Sequence, residues 1–416
     1  MNETPHTPET SATAARAARE LISWRNAVFA IFFLSGLSMA SWVARLPAIR
    51  DDTGLSTQGV GLVILAGSIG SILGLVAAPW FLARFGARTG MILALLTVSV
   101  GLVLLGIGGS AVPSVPIVVI GLALFGFGNG AVDVMMNVEG AEAEREIGKT
   151  VMPLMHAFFS FGTVAGAALA AAASAARLPV SLHLGVIALA IAVAVFIAVR
   201  YVPLRAEVGD DTHTDAPRPP WTERLRANLE VWGDVRLLLI GVIMLGMSFA
   251  EGSANDWLAL AVVDGHGFDE TTGAIVFGVF TVAITAARVI GGPVLDRFGR
   301  VPVLRTLAIV GIAGLSLFIF GTEPWMLIAG TALWGIGCSL GFPVGMSAAA
   351  DDPDRSAARV SAVAIIGYCA FLAGPPLLGF LGQQFGILNA LLVLLGLLVL
   401  SALAAPAARE RSRPTA

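Results

Sequence analysis

Four sets of polar side chains interrupt long apolar runs in this 416-residue chain, and their types and spacing mark where chemistry could be done. The first reads Asn129-x-x-x-Asp133-x-x-x-Asn137. A spacing of four on a helix advances about 40° beyond a full turn, so the three share a face roughly 80° wide. Such a stripe is expected to line a cavity. Interhelical hydrogen bonding is the plainer alternative, and a structural ion pair is a further one for Asp133. The second set is His156, followed by Phe158, Phe159 and Phe161. The imidazole can exchange a proton near neutrality, donate a hydrogen bond to a solute, or simply pack. The rings can stack on a ring-bearing solute or pack as apolar bulk. The third set is Glu251 and Asn255, again four apart, with Asp256 and Trp257 read as lying where the apolar run meets water. Glu251 can hold a cation, a proton or a polar solute. The fourth is Arg288.

The elements that must hold these groups are membrane helices. The chain is 56% hydrophobic and 13% charged, about half the charged share of an ordinary soluble domain. Its mean hydropathy is +0.85. Its 48 glycines suit close helix packing in lipid. A spanning helix takes about 20 apolar residues. Runs of that length fall near 26–44, 59–82, 89–109, 114–138, 151–174 and 180–200, then near 236–258, 272–295, 302–320, 325–349, 359–382 and 387–405. A polar stretch, 201–235, divides them six and six. A charge at mid-bilayer costs at least about 2.5 kcal/mol, so the four polar sets should face the bundle interior. At 1.5 Å per residue, Glu251 lies about 10 Å from the outer end of its run and Arg288 about 24 Å from that of its own. Asp133 lies at a depth like that of Arg288 and is the partner expected for it.

Basic residues set the orientation. Arg45, Arg50 and Arg177 fall on one side, Arg288 lies within a span, and the rest of the 25 Lys and Arg fall on the other side with both termini. That side is expected to be cytoplasmic. The expected organisation is a tail over 1–20, a six-helix bundle over 21–200, a linker over 201–235, a second bundle over 236–407 and a tail over 408–416. In the linker, Pro217, Pro219 and Pro220 precede Trp221, Leu225, Leu229 and Trp232 at helical spacing. This reads as a short amphipathic helix on the membrane surface that tethers the halves. No cleavage site follows the first run, so no removed signal peptide is expected.

The two halves repeat. Arg84-Phe85-Gly86 recurs as Arg297-Phe298-Gly299, Gly126-x-Gly128 as Gly335-x-Gly337, and Gly166 as Gly374, at offsets of 213, 209 and 208. Matches at near-constant offset and equivalent places indicate duplication. In these features the chain resembles the major facilitator superfamily, whose loop signature runs Gly-x-x-x-Asp-Arg-x-Gly-Arg. The second half fits through Gly292, Asp296, Arg297, Gly299 and Arg300; the first has Pro79 and Ala83 at the Gly and Asp positions, then Arg84, Gly86 and Arg88. The resemblance implies twelve helices in two pseudo-symmetric bundles, an all-α membrane fold, with a solute site near the midplane. It also implies that Asp296 latches onto the positive N-terminal end of the fifth span, near Gly148 to Thr150. The gating set so implied is Arg45, Arg84, Asp296, Arg297 and Arg300.

Four stretches are similar to the fucose-permease-like branch, and within it to bacterial inner-membrane permeases of the YbjJ type. They are Trp42-Val43-Ala44-Arg45-Leu46-Pro47, Asp133-Val134-Met135-Met136-Asn137, His156-Ala157-Phe158-Phe159-Ser160-Phe161-Gly162 and Glu251-Gly252-Ser253-Ala254-Asn255-Asp256-Trp257. The acid that this branch carries on its first span is replaced here by Ser35, Ser38 and Ser41, and Asn129 stands near the place of its fourth-span acid. The implied function is secondary active transport of a small, sugar-like solute across the bacterial inner membrane by alternating access, with protons as the coupling ion. Asn129, Asp133, Asn137, His156, Glu251, Asn255 and Arg288 are the candidate solute and coupling residues, Asp133 and Glu251 the protonatable ones. Export of amphipathic compounds is one alternative; a membrane receptor or scaffold that does not translocate is another.

Other chemistry finds little support. Gly148-Lys149-Thr150 resembles the end of a phosphate loop, but Ala143 stands where that loop needs Gly. The five histidines are scattered, and Cys338 and Cys369 sit in apolar runs, so no metal, cofactor or disulfide is expected. The net charge of −3 gives no nucleic-acid footprint. The expected partners are a small solute, protons and the lipid bilayer, and the expected state is a monomer that is not an enzyme.

Overall fold

The computed structural model describes residues 8–148, 151–203, 230–351 and 356–410, and every regular element in them is a helix. The first half holds α1 (Pro8–Val43), α2 (Leu46–Thr53), α3 (Thr57–Gly106), α4 (Val115–Ile147), α5 (Met152–Ala175) and α6 (Val180–Ala198). The second holds α7 (Val235–Leu260), α8 (Glu270–Phe298), α9 (Arg300–Phe320), α10 (Pro324–Cys338), α11 (Gly341–Ala349), α12 (Ser356–Phe385), α13 (Ile387–Ala390) and α14 (Leu392–Ala404). Among the described residues, eleven helical stretches are long and apolar enough to cross a bilayer. One of them, 55 residues long, is two spans run together. The spans are therefore twelve, as the runs predicted. Residues 204–229, which carry most of the expected linker helix, lie outside the described residues.

The joint inside α3 explains the repeated Arg-Phe-Gly. Gly86 holds φ 70° and ψ 170°, and Gly299, between α8 and α9, holds φ 77° and ψ 164°. That corner of backbone space is essentially open to glycine alone. Each half thus turns from its second span to its third through the same glycine geometry. Arg84 lies 5.6 Å over the Phe85 ring, and Arg297 lies 5.6 Å over that of Phe298.

The helices are apolar nearly all round, because their outer faces meet acyl chains rather than water. Val76, Leu189, Val235 and Leu403 are exposed there, while Trp257, Trp334 and Phe32 fill the interior. Small residues set the closest crossings. A Cβ on Gly126 would sit 2.0 Å from the Gly67 carbonyl oxygen, and one on Gly130 would sit 2.1 Å from that of Ser71. The fourth span therefore presses its backbone onto the second, which fixes where Asn129 points.

The halves meet toward the arginine-poor face. A Cβ on Gly61 would lie 2.4 Å from the Pro375 carbonyl oxygen, so α3 and α12 touch backbone to backbone. Arg50 of α2 pairs with Asp264, in the π-helical turn Ala261–Gly265 that extends α7. Glu270, at the start of α8, faces Ser174 and Arg45 of the first half. On the arginine-rich face no hydrogen bond or ion pair joins the halves among the described residues. The described polar contacts between the halves therefore cluster at the arginine-poor face.

Candidate solute site between the halves

A cavity of about 210 Å³ lies between the halves, walled by spans one, two and four of the first and spans seven and eleven of the second. Its polar lining is Ser68, Ser71, Asn129, Asn255 and Asp256; Trp42, Phe125 and Phe371 supply aromatic surface. Asn129 is held from behind, since Ser35 donates its hydroxyl to the Asn129 Oδ1 at 2.8 Å. That leaves the Asn129 amide NH₂ as a donor for the cavity. The indole N–H of Trp42 is buried without a partner.

Two prolines expose backbone to the same space. Pro375 and Pro376 have no N–H for the carbonyls of Phe371 and Leu372, four residues earlier, and both of those residues line the cavity. The Phe371 carbonyl accepts instead from Ser68 at 3.4 Å, across the interface between the halves.

One turn away from Asn255, Glu251 and Arg288 form an ion pair. The Arg288 Nη2 donates to both carboxylate oxygens of Glu251 at 2.7 Å. Its Nε donates to the Ser339 carbonyl at 3.1 Å. That carbonyl is free because Pro343, four residues on, lacks the amide that would take it, and the tenth span breaks between α10 and α11 there. The open carbonyl end of α10 also favours a cation. This pairing corrects the expectation that Arg288 would meet Asp133. The depth count failed because the seventh span runs on through the π turn to Gly265. Counted from there, Glu251 is about 21 Å deep against about 27 Å for Arg288, a gap that an arginine side chain closes.

The remaining candidates separate. Of the fourth-span stripe, only Asn129 reaches the cavity wall. The Asn137 Nδ2 donates to the Asp133 carbonyl at 2.8 Å and to its Oδ1 at 3.4 Å, so these two partner each other. His156 is exposed, edge-on to Phe32 at 5.0 Å between centroids and within electrostatic range of Arg288. Asp256 and Trp257 are not at a water boundary: Asp256 lines the cavity and Trp257 is fully buried. Asp256 had a signal in the sequence, one residue past Asn255 on the same helix. The Ser339 carbonyl had one too, in Pro343.

The gating candidates lie at the two faces. Arg45 is buried on the arginine-poor side, donating to the Leu178 carbonyl at 2.8 Å. Arg300 donates to both carboxylate oxygens of Asp351, at 2.9 and 2.8 Å, and to Ser347. Arg84, Asp296 and Arg297 are exposed, and Asp296 has no ion pair among the described residues. The N-terminal end of α5, its expected target, is taken. Glu144 accepts from the amides of Val151 and Met152, both at 2.7 Å. Lys149 and Thr150 lie outside the described residues. In the same region of the second half, Asp234 caps α7 and pairs with Arg359. Burial pushes its carboxyl up, but the Arg359 contact and the amides of Leu237 and Arg236 outweigh this and hold it below the ordinary range.

Comparisons with known proteins agree with this architecture. The sequence model of the Major Facilitator Superfamily matches residues 28–269 and 248–416. An MFS-type transporter of Yersinia pestis is 28% identical over 354 residues, covering 85% of this chain and 87% of its own length. The structure of the nucleoside transporter NupG superposes with a TM-score of 0.70 at 15% identity, over 92% of this chain and 98% of that one. The E. coli fucose:proton symporter FucP gives 0.62 at 16%, over 93% and 98%.

Proposed function

The chain belongs to the Major Facilitator Superfamily and is a multi-pass membrane transporter, and from that premise we propose that it carries a small polar solute through the cavity between its halves by alternating access. The observation that carries this reading is the cavity itself: Asn129 from one half and Asn255 and Asp256 from the other face one space. Rocking of the halves would move that space from one face to the other. With the arginine-poor face closed, and with arginine-rich loops on the cytoplasmic side of the inner membrane, the state described opens inward.

Size favours a small solute. Sites for drug-sized ligands run to about 300–1,000 Å³, above the roughly 210 Å³ here. A sugar-sized compound fits better, in keeping with the fucose-permease-like branch and the YbjJ-type permeases. Export of an amphipathic compound is the second reading, and what favours it is the aromatic and aliphatic wall of Trp42, Phe125, Phe371, Met39 and Leu122. Protons are the proposed coupling ion. Protonating Glu251 would release Arg288 from its carboxylate, and Asp133 offers a second titratable site on the opposite half.

The test is flux of a radiolabelled solute, chosen by a thermal-shift screen of sugars, organic acids and amphipathic drugs, into proteoliposomes of the purified full chain. Accumulation driven by an imposed pH gradient is expected. Binding without flux would instead make the protein a receptor. Proton-driven uptake that survives in both Asp133→Asn and Glu251→Gln would overturn the coupling assignment.

A further inference from the structure

The cavity wall carries one acid with no counter-charge. Asp256 is the only ionisable side chain among the described residues that line it, and it makes no hydrogen bond or ion pair among them. The charged groups on the neighbouring elements leave it unbalanced. On its own helix, Glu251 is already matched by Arg288. From α8, Arg288 is taken up by Glu251 and the Ser339 carbonyl. From α4, Asp133 adds a second acid, bonded to Asn137. Spans one, two and eleven contribute Met39, Trp42, Ser68, Ser71, Phe371 and other uncharged residues to the wall.

An ionised carboxylate in such a wall is expensive until it gains a proton or a cation. The cavity has room for the second. Phe125, Phe371 and Trp42 supply aromatic surface, to whose faces a cation is attracted. Asn255 and Ser71 offer acceptors for N–H groups, and the Asn129 amide offers a donor for hydroxyls. An anion would meet Asp256 with no cation free to balance it. A bare metal ion would leave most of the apolar wall unfilled.

We propose that the solute is a small protonated amine whose ammonium group pairs with Asp256, displacing the proton that this carboxyl carries when the cavity is empty. The step conserves charge: the ammonium ion keeps its three N–H bonds, the Asp256 O–H bond breaks, and its proton leaves to water through the open face. One carboxylate holds a proton or the amine, and not both, so the two compete and exchange. The inference rests on the reading of this cavity as the transport site and names its solute class.

The test uses shape-matched pairs on the full-length protein in detergent: cyclohexylamine against cyclohexanol, and glucosamine against glucose. The amine of at least one pair should raise the melting temperature while its neutral twin does not. About one proton should be released per amine bound, and the apparent affinity should fall about tenfold per pH unit on the acid side of the transition. Asp256→Asn should abolish both binding and proton release. Difference infrared spectroscopy on the unmutated protein needs no variant: the C=O stretch of a protonated carboxylic acid should vanish on adding the amine. Equal stabilisation by the neutral twins, retention of amine binding in Asp256→Asn, the same response to sodium chloride, or no response to either amine would each overturn the proposal. Amine binding that depends on Asp256 without flux into proteoliposomes would sustain this inference and sink the transport reading. Flux of glucose indifferent to Asp256→Asn would do the reverse.

Discussion

The two halves share a backbone plan and divide the polar work between them. In the first half the polar groups of the fourth span are tied by hydrogen bonds, Ser35 to Asn129 and Asn137 to Asp133. In the second, Glu251 is ion-paired with Arg288 inside the bundle, Arg300 with Asp351 and Arg359 with Asp234 pair nearer the arginine-rich face, and Asp256 in the cavity wall has no partner among the described residues. Both halves keep the glycine turn at Gly86 and Gly299. Duplication therefore preserved what backbone geometry demands and let the side-chain chemistry diverge.

The sharpest way to break this contrast is to unpair the interior charges. Glu251→Gln leaves Arg288 without its counter-charge. Losing one member of a buried pair costs about 3–5 kcal/mol. With 36% of the Arg288 side chain solvent-accessible, the low end of that range, about 3 kcal/mol, is expected. Thermal unfolding should show it, and transport should fall to background. Glu251→Gln with Arg288→Gln should recover most of the stability and none of the transport. A Glu251→Gln protein as stable as the parent would mean that the pair does not hold the second half together.

That pair also marks where sequence reasoning stops. Twelve spans and the duplicated turn were legible, because run length and a glycine at fixed offset report backbone constraints directly. Asn129 and Asn255 were legible as interior polar groups, because polarity inside an apolar run is visible in one dimension. The Arg288 partner was not, because depth had to be counted from a span end that a π turn moved to Gly265. Asp256 was misplaced for the same reason: its span ran on beyond it. The stripe from Asn129 to Asn137 shares a helix face, yet a helix can line a small cavity over only a turn or so. The carbonyls of Ser339 and Phe371 were hidden only from a reading that looks for side chains; Pro343 and Pro375 announce them.

The next test sharpens the comparison where the halves agree. Gly86→Ala and Gly299→Ala each force a Cβ into a backbone region that costs about 1–3 kcal/mol, and open space surrounds both positions. With no clash to add, the two losses should be alike, about 2 kcal/mol each. Thermal unfolding of the single variants and the double measures this, and the losses should add. A loss confined to one half would show that the shared geometry carries unequal loads.

A smaller effect tests whether both halves hold the solute. Asn129→Ala and Asn255→Ala each remove one neutral hydrogen-bonding group, worth about 1 kcal/mol, or roughly a fivefold rise in the solute concentration for half-maximal flux. The maximal rate should change little, because neither amide belongs to the charged machinery. Sensitivity to Asn255 with indifference to Asn129 would place the solute against the second half alone.

The smallest effect concerns the one loop acid that the halves do not share. Asp296 occupies the second-half position matched by Ala83 in the first. It is exposed, and Glu144 holds the α5 amides that would receive it. If closure of the arginine-rich face brings Asp296 to that helix end, the gain is of the order of a charge at a helix N-terminus, about 0.3–1 kcal/mol at an exposed site. Asp296→Asn should then slow transport about two- to fivefold while leaving membrane insertion intact. Glu144→Gln should act in the opposite sense, by weakening the group that competes for the same amides. Transport rates in the two variants and in the double variant decide it. If Asp296→Asn is silent with Glu144 present and silent again in Glu144→Gln, the loop acid is no latch, and the difference between Asp296 and Ala83 carries no consequence for the cycle.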